Sequence, residues 1–357
     1  MNDSCKLQCF CDAGVPPAVF PLPRIANPPA GRRRHKRPAS VCQWDQSSFS
    51  VWIRWANGGR GRLPFCVLAL LIMLATSSSG CGKRAGETIV VGSKNFTEQI
   101  VLAELFAQQI EAHSALRVER RLNLGGTFIC HDALISGKID LYPEYTGTAF
   151  TAILKYSPVN NQTAAQTFLA VQEEYRKRFN VEELPPLGFN NTFAMVVRGE
   201  DAETLHLRTI SEIAPLASKW RAGFGYEFME RPDGYRGWAA AYGLHFAGEP
   251  KILDLGLLYR ALADKQVDLV AGNSTDGTIA SLHMVALEDD RHYFPPYEAV
   301  PLVRVATLEK HPEVRAAIAA LAGKISVDEM RTLNYAVDGD HRDPADVVGA
   351  FRKSKGL

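Results

Sequence analysis

The sequence predicts a two-lobed α/β fold with a ligand cleft between the lobes, on three observations. Short apolar runs alternate with segments of helical periodicity across residues 88–142, the pattern of parallel βαβ units with right-handed crossovers. Two of these runs lead into turns dense in polar, aromatic and glycine residues: Gly92-Ser93-Lys94-Asn95-Phe96-Thr97-Glu98-Gln99 and Asp140-Leu141-Tyr142-Pro143-Glu144-Tyr145-Thr146-Gly147-Thr148. Finally, Leu134-Ile135-Ser136-Gly137-Lys138-Ile139-Asp140-Leu141 parallels Leu262-Ala263-Asp264-Lys265-Gln266-Val267-Asp268-Leu269, and each is followed by a turn bearing threonine and glycine. Two related lobes would place the ligand between them, a common location for small-molecule sites.

The elements follow in order. Residues 88–91 read as a strand. Asn95 followed by Glu98 reads as a capping box opening a helix over 96–112, whose inner stripe includes Val101, Leu105 and Ile110. Residues 116–122 form the next strand, and Gly125-Gly126-Thr127 turns into a helix closed near Gly137, a residue suited to a helix C-terminus. A third strand covers 139–142. A polar helix over 162–179 and a loop with Pro185-Pro186 lead to a crossing near Asn190-Asn191, and the chain returns near Pro295-Pro296. A strand over 299–305 and helices around 314–321, 328–337 and 344–352 close the chain. The expected division is 88–190 with 297–357 for the first lobe and 191–296 for the second, the two crossings forming a hinge.

The first eighty residues follow different rules. Arg54, Arg60 and Arg62 precede an apolar stretch over 65–75, and Ser77-Ser78-Ser79-Gly80-Cys81 follows it. Eleven apolar residues are too few to span a bilayer, so residues 61–81 read as a secretion signal. Cysteine directly after small residues is the pattern of a bacterial lipoprotein, so Cys81 is either a site of lipid attachment or the neighbour of a plain cleavage point. Residues 1–60, rich in proline and carrying Arg32-Arg33-Arg34-His35-Lys36-Arg37, are expected to be disordered or untranslated.

Of 40 Lys and Arg and 39 Asp and Glu, ten and three fall within residues 1–81. That leaves 30 basic against 36 acidic residues beyond Cys81, a net charge of about −6 that gives no electrostatic basis for nucleic-acid binding. Of seven cysteines only Cys130 lies beyond Cys81, so the exported part is expected to lack an internal disulfide, with Cys130 a small buried thiol.

The two opening turns carry a resemblance, together with Gly125-Gly126-Thr127, Gly188-Phe189-Asn190-Asn191-Thr192, Arg231-Pro232-Asp233-Gly234, Ser274-Thr275-Asp276-Gly277 and Pro295-Pro296-Tyr297. From about Thr88 to the C-terminus the chain resembles the substrate-binding proteins of osmoprotectant ABC importers, which capture glycine betaine, choline, carnitine and similar quaternary amines. The resemblance implies a periplasmic-binding-protein fold, type II-like, that closes on its ligand by rotation of the lobes. It also implies an ABC permease and its ATPase as partners, an extracytoplasmic location with a lipid anchor, a monomer, and no cofactor.

A quaternary ammonium donates no N–H, so its recognition rests on cation–π attraction and shape. The resemblance places an aromatic cage at Tyr145, Phe193, Asn273 and Tyr297, with Asn191 beside it; Phe193 keeps a ring without the hydroxyl, and Asn273 has no ring. Lys94, Thr148 and Arg231 stand where the resemblance implies contact with a carboxylate. From the residues alone, Lys94 is either that contact or a solvated surface lysine, and Arg231 either that contact or an inter-lobe partner of Glu144 or Asp276. Tyr142 and Tyr235 read as core or rim residues.

An enzyme is disfavoured. His131-Asp132 and Ser136 share a helix, but neighbours at i and i+1 point apart and form no base–orienter pair. No His-x-x-x-His or Cys-x-x-Cys metal spacing follows Cys81, and the segment 274–277 lacks the lysine of a phosphate loop. The alternatives to an importer subunit are a ligand-sensing protein coupled to a membrane receptor and a binder of another small polar cation or amino acid.

Overall fold

The structure is a computed structural model that describes residues 87–157 and 162–357. The expectations for residues 1–60 and 61–81 lie outside the described residues. The first lobe begins with β1 (Thr88–Gly92), α1 (Thr97–His113), β2 (Arg117–Arg121), α2 (Thr127–Ile135) and β3 (Leu141–Tyr145). A helical turn, Thr146–Thr148, runs into a π-helical turn, Ala149–Ile153, before α3 (Ala164–Phe179) and β4 (Val181–Glu183). The second lobe holds β5 (Phe193–Arg198), α4 (Gly199–Leu205), β6 (Ala222–Gly225), α5 (Tyr226–Glu230), α6 (Tyr235–Tyr242), β7 (Lys251–Leu253), α7 (Leu258–Ala263), β8 (Leu269–Asn273), α8 (Thr278–Ser281) and β9 (Met284–Leu287). The chain then returns through β10 (Ala299–Arg304), α9 (Val305–Lys310), α10 (Pro312–Ala319), α11 (Val327–Asp338) and α12 (Pro344–Lys355).

Each lobe is built on a five-stranded sheet, ordered β2-β1-β3-β10-β4 in the first and β7-β6-β8-β5-β9 in the second. The expected parallel units are present, because β1 runs parallel to β2 and β3, and β6 runs parallel to β7 and β8. The sheets are nevertheless mixed: β10 is antiparallel to β3 and β4, and β5 to β8 and β9. The register gives the reason. Ala299 pairs with Tyr145 and Phe193 with Asn273, so each strand arriving from the other lobe starts at the end where its parallel neighbour finishes. A strand that starts there can only run the opposite way.

The repeated octapeptide is a repeated piece of structure. Gly137 and Lys265 both take left-handed backbone angles, φ +73° and +56°, closing α2 and α7. Asp140 then donates its N–H to Val90 O at 2.7 Å and accepts from Val90 N at 2.8 Å, while Asp268 does the same with Arg221 O at 2.7 Å and Arg221 N at 3.0 Å. One aspartate thus staples the start of β3 to β1, and the other the start of β8 to β6.

The core of the first lobe is wrapped on α1, whose Val101, Leu102, Leu105, Phe106 and Ile110 are buried where α10, α11 and α12 pack against it. The expected capping box at Asn95 and Glu98 is not formed. Phe96 is the N-cap, Asn95 is exposed, and Glu98 turns inward. Capping boxes do open α3 (Thr163 with Gln166) and α11 (Ser326 with Glu329). In the second lobe Phe224, Phe228, Trp238 and Phe246 form an aromatic core, with Tyr235 against it at 5.3 Å from Phe224. Tyr142 is fully buried in the first lobe, and Cys130 is buried there too, where loss of hydration pushes its thiol up to about 12 and makes it unreactive at neutral pH.

Asp140→Ala and Asp268→Ala should each lower stability by about 1–3 kcal/mol, since each leaves a strand N–H without its acceptor. Urea unfolding should show a lower midpoint at unchanged slope for both variants. A midpoint equal to that of the parent protein would show that the staple is dispensable.

Candidate functional site

Between the two sheets lies a cleft of about 1030 Å³, of the size that holds small molecules. It opens where β3 and β8 end, and all eight sequence-predicted positions line it: Lys94, Tyr145, Thr148, Asn191, Phe193, Arg231, Asn273 and Tyr297. β3 delivers Tyr145, and the helical turn after it delivers Thr148. Gly147 is required there, because a Cβ would lie 2.6 Å from the Tyr297 ring and 2.7 Å from Pro296 O.

The two cations are not free. The Lys94 ammonium is bound to the Glu144 carboxylate, with side-chain exposures of 3% and 0%, which overturns the solvated-lysine reading. Glu144 also accepts from the Tyr142 hydroxyl at 2.9 Å and from Tyr145 N at 2.8 Å. Arg231 pairs with neither Glu144 nor Asp276. Its Nε donates to Asp233 Oδ1 at 2.8 Å and its Nη2 to Asp233 Oδ2 at 2.5 Å, a fork matched to a carboxylate. The turn Arg231-Pro232-Asp233 brings the two residues together, which a helix would not do for residues two apart. Burial alone would lower the Arg231 pKa and raise that of Asp233, but each charge reverses the effect on the other, and both stay ionised.

This pair is also the bridge between lobes. Arg231 Nη1 donates to Thr148 Oγ1 at 3.0 Å, and Asp233 Oδ2 accepts from Thr151 Oγ1 at 2.7 Å and from the Tyr297 hydroxyl. A second bridge centres on Glu98, 1% exposed, which accepts from the Tyr145 hydroxyl (2.7 Å), Asn191 Nδ2 (2.8 Å), Thr275 Oγ1 (2.5 Å) and Asn334 Nδ2 (3.0 Å). Burial raises the Glu98 pKa against the pull of these four donors.

The rings are arranged for cations. The Arg231 guanidinium carbon lies 4.9 Å from the Phe193 centroid and 5.8 Å from that of Tyr297, and Lys94 Nζ lies 5.2 Å from that of Tyr145. Phe193 meets Tyr297 edge-on at 6.0 Å. Asn273 sits opposite Phe193 in the β5–β8 register and turns its amide toward Asp276, 3.4 Å from either oxygen. Burial pushes the Asp276 carboxyl up to about 6, against hydrogen bonds from Tyr259 and Asn273.

Sequence reasoning missed Phe96, Phe228, Tyr259 and Glu227, which also line the cleft. Phe96 was in view within the first turn, and it stacks on Tyr145 at 6.4 Å. Glu227 had a signal in its spacing, four residues before Arg231, and its Oε1 lies 3.5 Å from Arg231 Nη1. Its other oxygen accepts from Thr127 N across the cleft at 3.1 Å.

Residues 87–354 match the family model described as the substrate-binding domain of the ABC-type glycine betaine transport system. The chain is 35% identical over 294 residues to the carnitine transport binding protein OpuCC of Listeria monocytogenes, covering 80% of this chain and 94% of that protein. It is 33% identical over 270 residues to the ergothioneine transport permease/ergothioneine binding protein EgtU of Helicobacter pylori, covering 75% of this chain and 48% of that protein. Among solved structures, one titled as a glycine betaine/carnitine/choline ABC transporter superposes with a TM-score of 0.62 at 33% identity, covering 75% of this chain and 98% of that one.

Tyr145→Phe and Tyr297→Phe keep the ring but deprive a buried carboxylate, Glu98 or Asp233, of a donor. Each should lower stability by about 1–3 kcal/mol in chemical denaturation. Unchanged stability would mean that water replaces the hydroxyl without loss.

Proposed function

Because the chain belongs to the family of substrate-binding domains of ABC-type glycine betaine transport systems, we propose that it captures a quaternary amine outside the cytoplasm and hands it to an ABC permease driven by its ATPase. The observation that carries this reading is the meeting of Tyr145, Phe193 and Tyr297 around one cleft, with the face of each ring turned to a cation of the chain itself. Rings that attract a guanidinium or ammonium attract a trimethylammonium for the same reason, the negative potential of the ring face. Thr148, Asn191, Asn273, Lys94 and Arg231 complete the proposed contact set.

In this reading the protein is a binder and not an enzyme, and the lobes, 88–190 with 297–357 and 191–296, rotate about the crossings to enclose the ligand. Among the described residues no helix is long and apolar enough to cross a membrane. We assign retention at the membrane to lipid on Cys81. Cys81→Ser should release the protein from the membrane fraction or block its processing, and retention of a normally processed Cys81→Ser protein would remove the anchor from the proposal.

Isothermal titration of the purified protein with choline, glycine betaine, carnitine and ergothioneine tests the ligand class. At least one should bind, and Phe193→Ala should weaken it roughly 2- to 30-fold, the worth of one ring face. Phe193 is the cleanest ring to remove, having no hydroxyl in a network. Failure of all four compounds to bind would defeat the quaternary-amine reading.

A further inference from the structure

Charged residues lining the cleft comprise three cations, Lys94, Arg231 and Arg260, against four carboxylates, Glu227, Asp254, Asp276 and Asp338. Two of the cations are already matched by further carboxylates, Lys94 by Glu144 and Arg231 by Asp233. The third, Arg260, stands at the rim with its side chain 80% exposed and leans on Asp264 at 3.6 Å. A ligand carboxylate entering this cleft therefore finds no unmatched cation, whereas a ligand cation finds surplus negative charge.

Glu227 sharpens the point. Its carboxylate rises from α5 in the second lobe and reaches the first turn of α2 in the first, accepting from Thr127 N at 3.1 Å. Gly126 leaves room for it, since a Cβ at that position would lie 2.7 Å from Glu227 Oε2. The same carboxylate lies 3.5 Å from Arg231 Nη1, the nitrogen that also donates to Thr148. Burial works to raise its pKa, but the fields of Lys94 and Arg231 outweigh burial and hold it ionised. The helix N-terminus, the arginine and the lysine field are the elements that would recognise a ligand carboxylate. In this protein its own glutamate has taken that place.

We infer that Glu227 makes the cleft selective for quaternary amines that carry no carboxylate, ligands of the choline type with one positive charge and a hydroxyl. The inference rests on the quaternary-amine reading. A ligand hydroxyl donates to Glu227 and leaves its other bonds intact. A ligand carboxylate meets like charge at close range, or displaces Glu227 from Thr127 and leaves two carboxylates competing for one N–H donor.

Calorimetry on the full chain tests it with choline, glycine betaine and carnitine, on the parent protein and on Glu227→Gln and Glu227→Asp. The parent should bind choline at least tenfold tighter than either zwitterion. Glu227→Gln, which keeps the shape and removes the charge, should shrink that ratio at least tenfold, by weakening choline, strengthening glycine betaine, or both. Glu227→Asp, which keeps the charge, should retain the preference for choline. Equal or tighter binding of glycine betaine or carnitine by the parent would overturn the inference and leave the quaternary-amine reading standing. An unchanged ratio in Glu227→Gln would overturn it as well. If none of the three compounds binds the parent, this inference falls, and the reading beneath it falls with it if ergothioneine also fails to bind.

Discussion

The buried carboxylate of Glu98 is the constraint on which the rest of this structure depends. An ionised carboxylate taken out of water is unfavourable by several kcal/mol unless donors surround it. Here the donors come from the end of β3 (Tyr145), the crossing into the second lobe (Asn191), the turn after β8 (Thr275) and α11 near the C-terminus (Asn334). Those segments lie up to 236 residues from Glu98 in sequence. Satisfying one group on α1 therefore sets where both lobes and the closing helices meet, and it holds the Tyr145 ring in the wall of the cleft.

The second bridge, Arg231 with Asp233, works by the same physics from the opposite lobe. A forked ion pair is matched within a three-residue turn, and its spare donors and acceptors are offered across the cleft to Thr148, Thr151 and Tyr297. Thr151 reaches Asp233 from the π-helical turn that follows the Gly147 turn. Both charges that the sequence marks as candidates for a ligand are thereby committed to the architecture of the site.

Much of this was legible in the chain. Strand and helix alternation and the octapeptide repeat follow from local pattern, because burial imposes a period that the sequence must keep. The eight predicted positions converge on one cleft because turns after the parallel strands collect at one edge of each sheet and the crossing strands β5 and β10 start at that same edge. The direction of β5 and β10 was not legible, since a strand's neighbours depend on where a crossing chain enters. The capping box at Asn95 failed similarly, because Ser/Asn-x-x-Glu describes a local option while four distant donors offered Glu98 a better one.

By itself, then, the sequence determined the α/β class and the pairing of two related lobes, since both are written in local spacing, and its family resemblance pointed to eight positions that line the cleft. Only the tertiary structure decided what those side chains are free to do. Lys94 and Arg231 look like open cations in the chain; in the fold Glu144, Asp233 and Glu227 claim them. Coulomb attraction between these buried side chains acts on distance in space, and Glu144 lies 50 residues from Lys94, so spacing along the chain carries no trace of that pairing.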